Sequence, residues 1–175
     1  MDNEYIQTIK SNFDYSKSKY EFIEIILGKY NNLEFNKNIN SIFFEKMIEK
    51  FKEKIEDNNI NYRKYVLYEY DNKQLITFNN GSSIAHRVEL KKNNFIKSDK
   101  IDFMYKITQK FKIENDSFEP RFNYDTIDTI DGIQFTYKNI NIEFLLVNNN
   151  EKIIKIICNQ KHIDNLKKIF NLFYS

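Results

Sequence analysis

The chain has 175 residues, of which 41% are hydrophobic and 16% aromatic, so it can build one domain with a sizeable core. The formal net charge of +2 excludes a polycation that coats nucleic acid without specificity, and the 3 glycines form neither of the glycine-rich phosphate-binding motifs. The single cysteine excludes an intrachain disulfide framework. No apolar run approaches the roughly 20 residues that span a bilayer, and the N-terminus lacks the pattern of a signal peptide, so we expect an intracellular, cytoplasmic protein with no membrane partner.

The N-terminal part of the chain is predicted to contain two helices. Residues 1–15 have no clear period and are expected to form an irregular arm. Ser18 and Glu21 have the spacing of a capping box, apolar residues follow at helical spacing, and Gly28 fits a helix end, so we predict a first helix over 18–28. After a short strand at 33–36, a second helix is predicted over 40–55, with one apolar face formed by Phe44, Met47, Ile48, Phe51 and Ile55.

From Tyr62 onward the apolar residues alternate with a period of two, which predicts strands. We expect a turn at Asp131-Gly132, a polar loop over 93–100 and a closing helix over 163–173. The predicted strands are 62–70, 74–78, 84–92, 103–114, 118–124, 133–138, 140–147 and 152–158. Short connections favour antiparallel pairing, and so many short strands must close or stack to protect their edges.

The predicted fold is therefore α+β, with residues 1–175 in a single domain. It is built on a closed or strongly curved antiparallel sheet, a tunnel-like barrel of about eight or nine strands. Two N-terminal helices and one C-terminal helix accompany this sheet.

Alternation places charge on one face of several strands. In 103–114, Lys106 and Lys110 share a face with Thr108, while Tyr105, Ile107 and Phe111 take the other face. One interpretation is that the charges face solvent around an apolar core, as is usual for antiparallel sheets. The other is that the apolar face lies outside under helices, so that the charges line a hydrated tunnel that fits a polyanion.

Two short strands each carry one carboxylate on a face. Glu34 lies in the stretch 32–36, and Glu143 lies in the similar stretch 141–145. Carboxylate oxygens are ligands that Mg²⁺ and Mn²⁺ prefer. Two such strands aimed the same way could hold a divalent ion between them.

The order of these elements resembles the RNA triphosphatase domain of the mRNA capping enzymes of large DNA viruses. The resemblance is carried by the glutamate strand between two helices, the alternating basic strand 105–111, the segment 121–123 and the acidic strand 141–144. Such domains are triphosphate tunnel metalloenzymes. The resemblance implies an eight-stranded tunnel in which Glu-x-Glu strands bind Mg²⁺ or Mn²⁺, inward Arg and Lys residues hold a triphosphate, and water attacks the terminal phosphorus.

Carried onto this chain, the resemblance implies a role in mRNA capping, with triphosphate-ended RNA or a nucleotide as ligand and other capping or transcription subunits as partners. It implies catalytic, metal-binding carboxylates at Glu34 and Glu143, with Asn36 and Asn141 as further metal ligands. The implied phosphate contacts are Arg87, Lys91, Lys106, Lys110 and Arg121.

This chain departs from the family pattern at the second carboxylate of each motif. Asn36 stands at that place in the first motif, and the second motif has either Asn141 before Glu143 or Leu145 after it, depending on register. Asparagine offers a carbonyl oxygen but no charge, so metal affinity should fall. Two further hypotheses therefore stay open. The chain could be a catalytically degenerate tunnel module that binds a ligand or partner subunit, or an unrelated antiparallel α+β interaction domain.

Overall fold

The computed structural model describes residues 4–12, 21–97, 102–113 and 124–174. Within these ranges no helix is long and apolar enough to cross a membrane. The helices are α1 (Glu4–Lys10), α2 (Ser41–Lys54) and α3 (Leu166–Tyr174), with 3₁₀ turns at Asp57–Asn59 and Gln160–Asn165. The strands are β1 (Glu21–Asn31), β2 (Glu34–Asn36), β3 (Ile60–Tyr70), β4 (Lys73–Phe78), β5 (Ser83–Ile96), β6 (Asp102–Ile113), β7 (Thr126–Tyr137), β8 (Ile140–Val147) and β9 (Glu151–Asn159).

Eight of these strands close into an antiparallel barrel. The strand order is β1-β6-β5-β4-β3-β7-β8-β9, and β9 pairs back with β1. The short strand β2 lies outside this ring and pairs with the last residues of β1. The predicted α+β class, the closed antiparallel sheet and the number of helices, two N-terminal and one C-terminal, are confirmed, although the first helix lies at α1 and not at its predicted position.

The apolar face of the barrel is its outer face, and the helices cover it. Phe51 of α2 is fully buried, and its ring lies 5.5 Å from Phe135, 5.3 Å from Phe144 and 5.0 Å from Phe173, measured between centroids. The Oδ1 atom of Asn40 accepts hydrogen bonds from the backbone N–H groups of Ile42 and Phe43, which fixes the start of α2. The opposite face of each strand therefore lines the inside of the barrel.

The first predicted helix is wrong, because residues 21–31 form strand β1. This strand pairs with β6 on one side and with β9 on the other, so tertiary pairing outweighs the helical spacing. Ile23, Ile25 and Leu27 alternate on its buried outer face. The predicted irregular arm also differs, since α1 occupies part of it and buries Ile6 and Ile9.

Two further predictions from turn chemistry differ from the structure. Strand β7 runs straight through the predicted Asp131-Gly132 turn. Gly132 is needed there for close approach, because a Cβ atom at this position would lie 2.8 Å from Cδ2 of Leu145. Strand β5 extends to Ile96, into the predicted loop. The strand predicted over 118–124 falls almost entirely outside the described residues.

We predict that Phe51→Ala lowers the free energy of unfolding by about 3–5 kcal/mol, because it leaves a cavity among three aromatic rings. Urea denaturation measures this loss. The matched variant Glu49→Ala changes an exposed residue of the same helix and should stay within about 0.5 kcal/mol of the wild type. Equal losses in the two variants would contradict packing of α2 on the outer face of the barrel.

Candidate functional site

The inside of the barrel holds a cavity of about 480 Å³, which we call the lumen. Seven of the eight barrel strands contribute residues to its lining. Charged side chains such as Glu24, Lys106 and Lys155 lie there beside apolar ones such as Ile26 and Leu145. A charged, water-accessible interior under an apolar exterior agrees with the tunnel interpretation of the strand alternation.

Glu24 of β1 is the first acidic residue of the lumen. Its Oε1 atom lies 3.6 Å from Nζ of Lys110, and it is the register partner of Lys106. Burial alone would raise the pKa of Glu24, but Lys155, Lys110 and Lys106 together outweigh burial and hold that pKa below its ordinary value. The carboxylate is therefore kept ionised by cations from two neighbouring strands.

Glu143 of β8 is the second acidic residue, and only 6% of its surface is exposed. Its Oε2 atom lies 3.5 Å from Nη1 of Arg63 on β3. The same Arg63 nitrogen donates a 2.7 Å hydrogen bond to Oε1 of Gln134, which fixes the position of the guanidinium. Glu143 thus has a positioned cationic partner on another strand.

Lys155 of β9 lies between the two acidic residues. Its strand separates β1 from β8, and its register partners are Ile26 on one side and Glu143 on the other. The carboxylate of Glu24 raises the pKa of Lys155, against the effect of burial, and Glu143 adds to this. The ammonium group is therefore an internal counter-ion for both carboxylates.

We call these six residues the central cluster: Glu24, Arg63, Lys106, Lys110, Glu143 and Lys155. It contains four cations and two carboxylates, so cations exceed carboxylates by two. Glu69 also acts on Lys155 from further along the lumen, and counting it still leaves an excess of one cation. The other charged residues of the described lining are Lys37, Asp128 and Glu151, which bring the whole lumen to charge balance. The surplus is therefore local, and it allows the central cluster to accept an anionic group.

Thr108 adds an unused donor beside these cations. It lies between Lys106 and Lys110 on the same face of β6, and only 3% of its surface is exposed. Its hydroxyl has no hydrogen-bond partner within the described part of the chain. Buried hydroxyls usually have a partner, so this group marks a place where a ligand oxygen or a water molecule fits.

Four of the residues predicted from sequence lie on the lumen face. Lys106 lines the lumen, and Lys110 and Glu143 form the ion pairs described above. Asn141 lies two residues before Glu143 on the same face, and its Oδ1 atom accepts a 2.9 Å hydrogen bond from Oγ1 of Thr136. The structure therefore brings together Lys106, Lys110 and Glu143, with Asn141 beside them.

The other predicted residues lie elsewhere. Glu34 and Asn36 are exposed on β2 and do not line the lumen. Arg87 lies on the outer face, with its guanidinium 4.8 Å from the centroid of the Phe111 ring. Lys91 is exposed at the irregularity of β5, between Leu90 and Lys92. Arg121 lies outside the described residues.

Sequence reasoning missed Glu24, Arg63 and Lys155. The alternation of Glu24 and Ile26 with Ile23 and Ile25 is a period-two signal that the helical interpretation of this stretch concealed. Lys155 interrupts the apolar run from Ile153 to Cys158, and a charge in such a run needs a partner. Arg63 carried no signal in the sequence, because its partner comes from a strand 80 residues away.

Comparison with known proteins identifies the fold. No family model and no curated protein matches the sequence. The Schizosaccharomyces pombe Pct1 RNA triphosphatase, in complex with the Spt5 CTD, has a TM-score of 0.71 at 10% identity, with 98% of this chain and 86% of that chain covered. The RNA triphosphatase domain of the Mimivirus mRNA capping enzyme has a TM-score of 0.66 at 15% identity, covering 98% and 95%.

A third neighbour comes from a different assembly. A chain of the Schizosaccharomyces pombe Mediator head module has a TM-score of 0.58 at 11% identity, with 87% of this chain and 94% of that chain covered. The chain thus has the tunnel fold of these RNA triphosphatase domains, and the predicted resemblance is confirmed at the level of fold.

We predict that the stability conferred by Glu24 is lost at acid pH. Its pKa is lower in the folded state than the ordinary value of 4.5, so its contribution is present above pH 4.5 and is lost as the pH falls through the folded pKa. The difference in free energy of unfolding between wild type and Glu24→Gln should therefore shrink below about pH 4.5. Urea titrations from pH 7 to pH 3 in metal-free buffer measure it, and a difference that stays constant would contradict the ion pairing of Glu24.

Proposed function

We propose that this chain is an RNA 5′-triphosphatase-like tunnel domain that acts in mRNA capping, within the cytoplasm. Its ligand would be the triphosphate end of an RNA or nucleotide. The observation that carries this proposal is the surplus of cations around Glu24 and Glu143 inside a closed barrel. Lys and Arg donors form strong charge-assisted hydrogen bonds to phosphate oxygens.

The proposal includes a divalent ion of the kind that the family resemblance implies, Mg²⁺ or Mn²⁺. Mg²⁺ is commonly held by one or two carboxylates together with substrate phosphates, and the two lumen carboxylates match that minimal donor set. The described residues contain no group of three or more His, Cys, Asp or Glu side chains arranged for a metal, so the substrate would have to complete the site. Bound there, such an ion would neutralise charge on the phosphate oxygens.

In this proposal Glu24, rather than Glu34, joins Glu143 as the carboxylate pair, with Asn141 next to it. Lys106, Lys110 and Arg63 bind the phosphate oxygens and stabilise the negative charge that the terminal phosphoryl group carries during transfer. Arg63 is held by Gln134, so its donors are oriented before the ligand enters. Thr108 offers its free hydroxyl to a phosphate oxygen.

We predict that the wild-type chain releases the γ-phosphate from triphosphate-ended RNA in the presence of Mn²⁺. Glu24→Gln and Glu143→Gln should each lower this rate by on the order of 100-fold, because each removes one of the two charged carboxylates that would hold the divalent ion beside the reacting phosphate. Release of labelled phosphate measures the rate. Glu34→Gln is the matched control, since that residue is an exposed glutamate outside the lumen, and it should retain the wild-type rate.

Turnover that survives both lumen substitutions, or that is lost with Glu34→Gln, would remove the assignment of Glu24 and Glu143. Turnover that is absent from the wild type would remove the enzymatic activity itself and leave a second candidate function.

The second candidate is a non-catalytic tunnel module that binds triphosphate or a partner subunit of the capping or transcription machinery. It is favoured by Lys155, whose ammonium interacts with both carboxylates and occupies the place between them where a metal ion would bind. A chain of the Mediator head module has the same fold, and Pct1 was captured with a segment of another protein. A melting temperature raised by tripolyphosphate, without turnover in Mn²⁺ or Mg²⁺, would select this candidate.

A further inference from the structure

The ribbon of β1 and β2 folds back over one end of the lumen. The two strands approach most closely at Gly28, where an added Cβ would collide with the backbone oxygen of Asn36 and lie 2.7 Å from Cζ of Phe35. Glycine therefore lets the Phe35 ring lie directly against β1. Phe35 also packs on the apolar cluster that contains Ile26 and Leu145, both of which line the lumen. Phe35 thus lies at a mouth of the lumen.

Three aromatic rings meet at this mouth, and we call them the mouth cluster: Tyr30, Phe35 and Phe95. The Phe95 ring centroid lies 5.3 Å from that of Tyr30 and 5.6 Å from that of Phe35. The rings come from β1, β2 and β5, so their contact depends on the fold and not on the local sequence. Phe95 is 42% exposed, which leaves ring surface open to a ligand.

Cations flank the mouth cluster on two sides. The Nζ atom of Lys97 lies 5.1 Å from the centroid of the Tyr30 ring, a cation–π contact. Lys37 follows β2 directly and lines the same lumen as Lys106 and Lys155, with its Nζ 3.9 Å from Oε1 of Glu151. Exposed aromatic rings beside cations are the arrangement with which proteins stack single-stranded nucleic acid bases and hold their backbone.

We infer that the mouth cluster binds the 5′-terminal nucleobase of a triphosphate-ended RNA whose phosphates enter the lumen. This inference rests on the proposed function and adds a binding subsite for the terminal base, which the proposed function does not assign. The mouth cluster adjoins the lumen, because Phe95 is the register partner of Met104, which lies two residues from Lys106 on the same face of β6. A single ligand can therefore reach both the mouth cluster and the central cluster. A base has an aromatic face for Phe95, and the adjoining phosphate carries the charge that Lys97 and Lys37 attract.

The test compares the affinities of two probes by calorimetry. One is inorganic tripolyphosphate, and the other is a short oligoribonucleotide whose 5′ triphosphate carries a non-hydrolysable β,γ-methylene bond. Phe95→Leu keeps apolar bulk but removes the ring, and should weaken oligonucleotide binding on the order of 10-fold while leaving tripolyphosphate binding unchanged. Phe95→Tyr keeps the ring and should bind both probes as the wild type does.

Tyr62→Leu is the matched control. Tyr62 is 65% exposed and also has a lysine nearby, with Nζ of Lys52 5.8 Å from its ring centroid. It lies on the outer face of β3, because the neighbouring Arg63 faces the lumen. This variant should bind both probes normally. Oligonucleotide affinity that is unchanged in Phe95→Leu, or equally weakened in Tyr62→Leu, would overturn the inference while tripolyphosphate binding keeps the proposed function intact. Wild-type protein that binds neither probe would overturn both.

Discussion

Closure of the sheet through β1 is the constraint on which the rest of this structure depends. β1 pairs with β6 along one edge and with β9 along the other, so it turns an open sheet into a ring. Because side chains alternate along a strand, closure commits every other residue to the inside. The apolar set then faces outward, where α2 and α3 bury it, and the charged set is enclosed.

Enclosed charge has to be balanced, and the central cluster shows how this is done. Glu24 and Glu143 each lie within 4 Å of a cation from another strand, and Lys155 lies between them. Removing one member of such a group leaves an unpaired charge with a large desolvation cost, so the members stabilise one another. Four cations against two carboxylates leave the central cluster with a local excess of positive charge, and the proposed anion would bind there. Structure and candidate function therefore rest on the same side chains.

Much of the fold was predictable, since period-two patterns with turn residues give β3, β4, β6, β8 and β9 nearly residue by residue. The face that becomes enclosed was not predictable, because alternation is identical for a solvated face and a lumen face. Glu143, Lys106 and Lys110 could be chosen from their strands alone. Glu24 was missed because the apolar residues of β1 also have helical spacing, which predicts a helix. A local pattern contains no information on the pairing of β1 with β6 and β9, which decides for a strand. Arg63 and Lys155 become recognisable only when register places them beside a carboxylate.

The central claim is that the lumen binds a triphosphate through its surplus cations. A crystal structure of the chain grown with tripolyphosphate tests it most directly. The account predicts phosphate oxygens inside the barrel, with Nζ of Lys106 or Lys110, or the guanidinium of Arg63, within about 3 Å of them. Phosphate bound solely on the outer surface, with the central cluster paired internally and untouched, would contradict it.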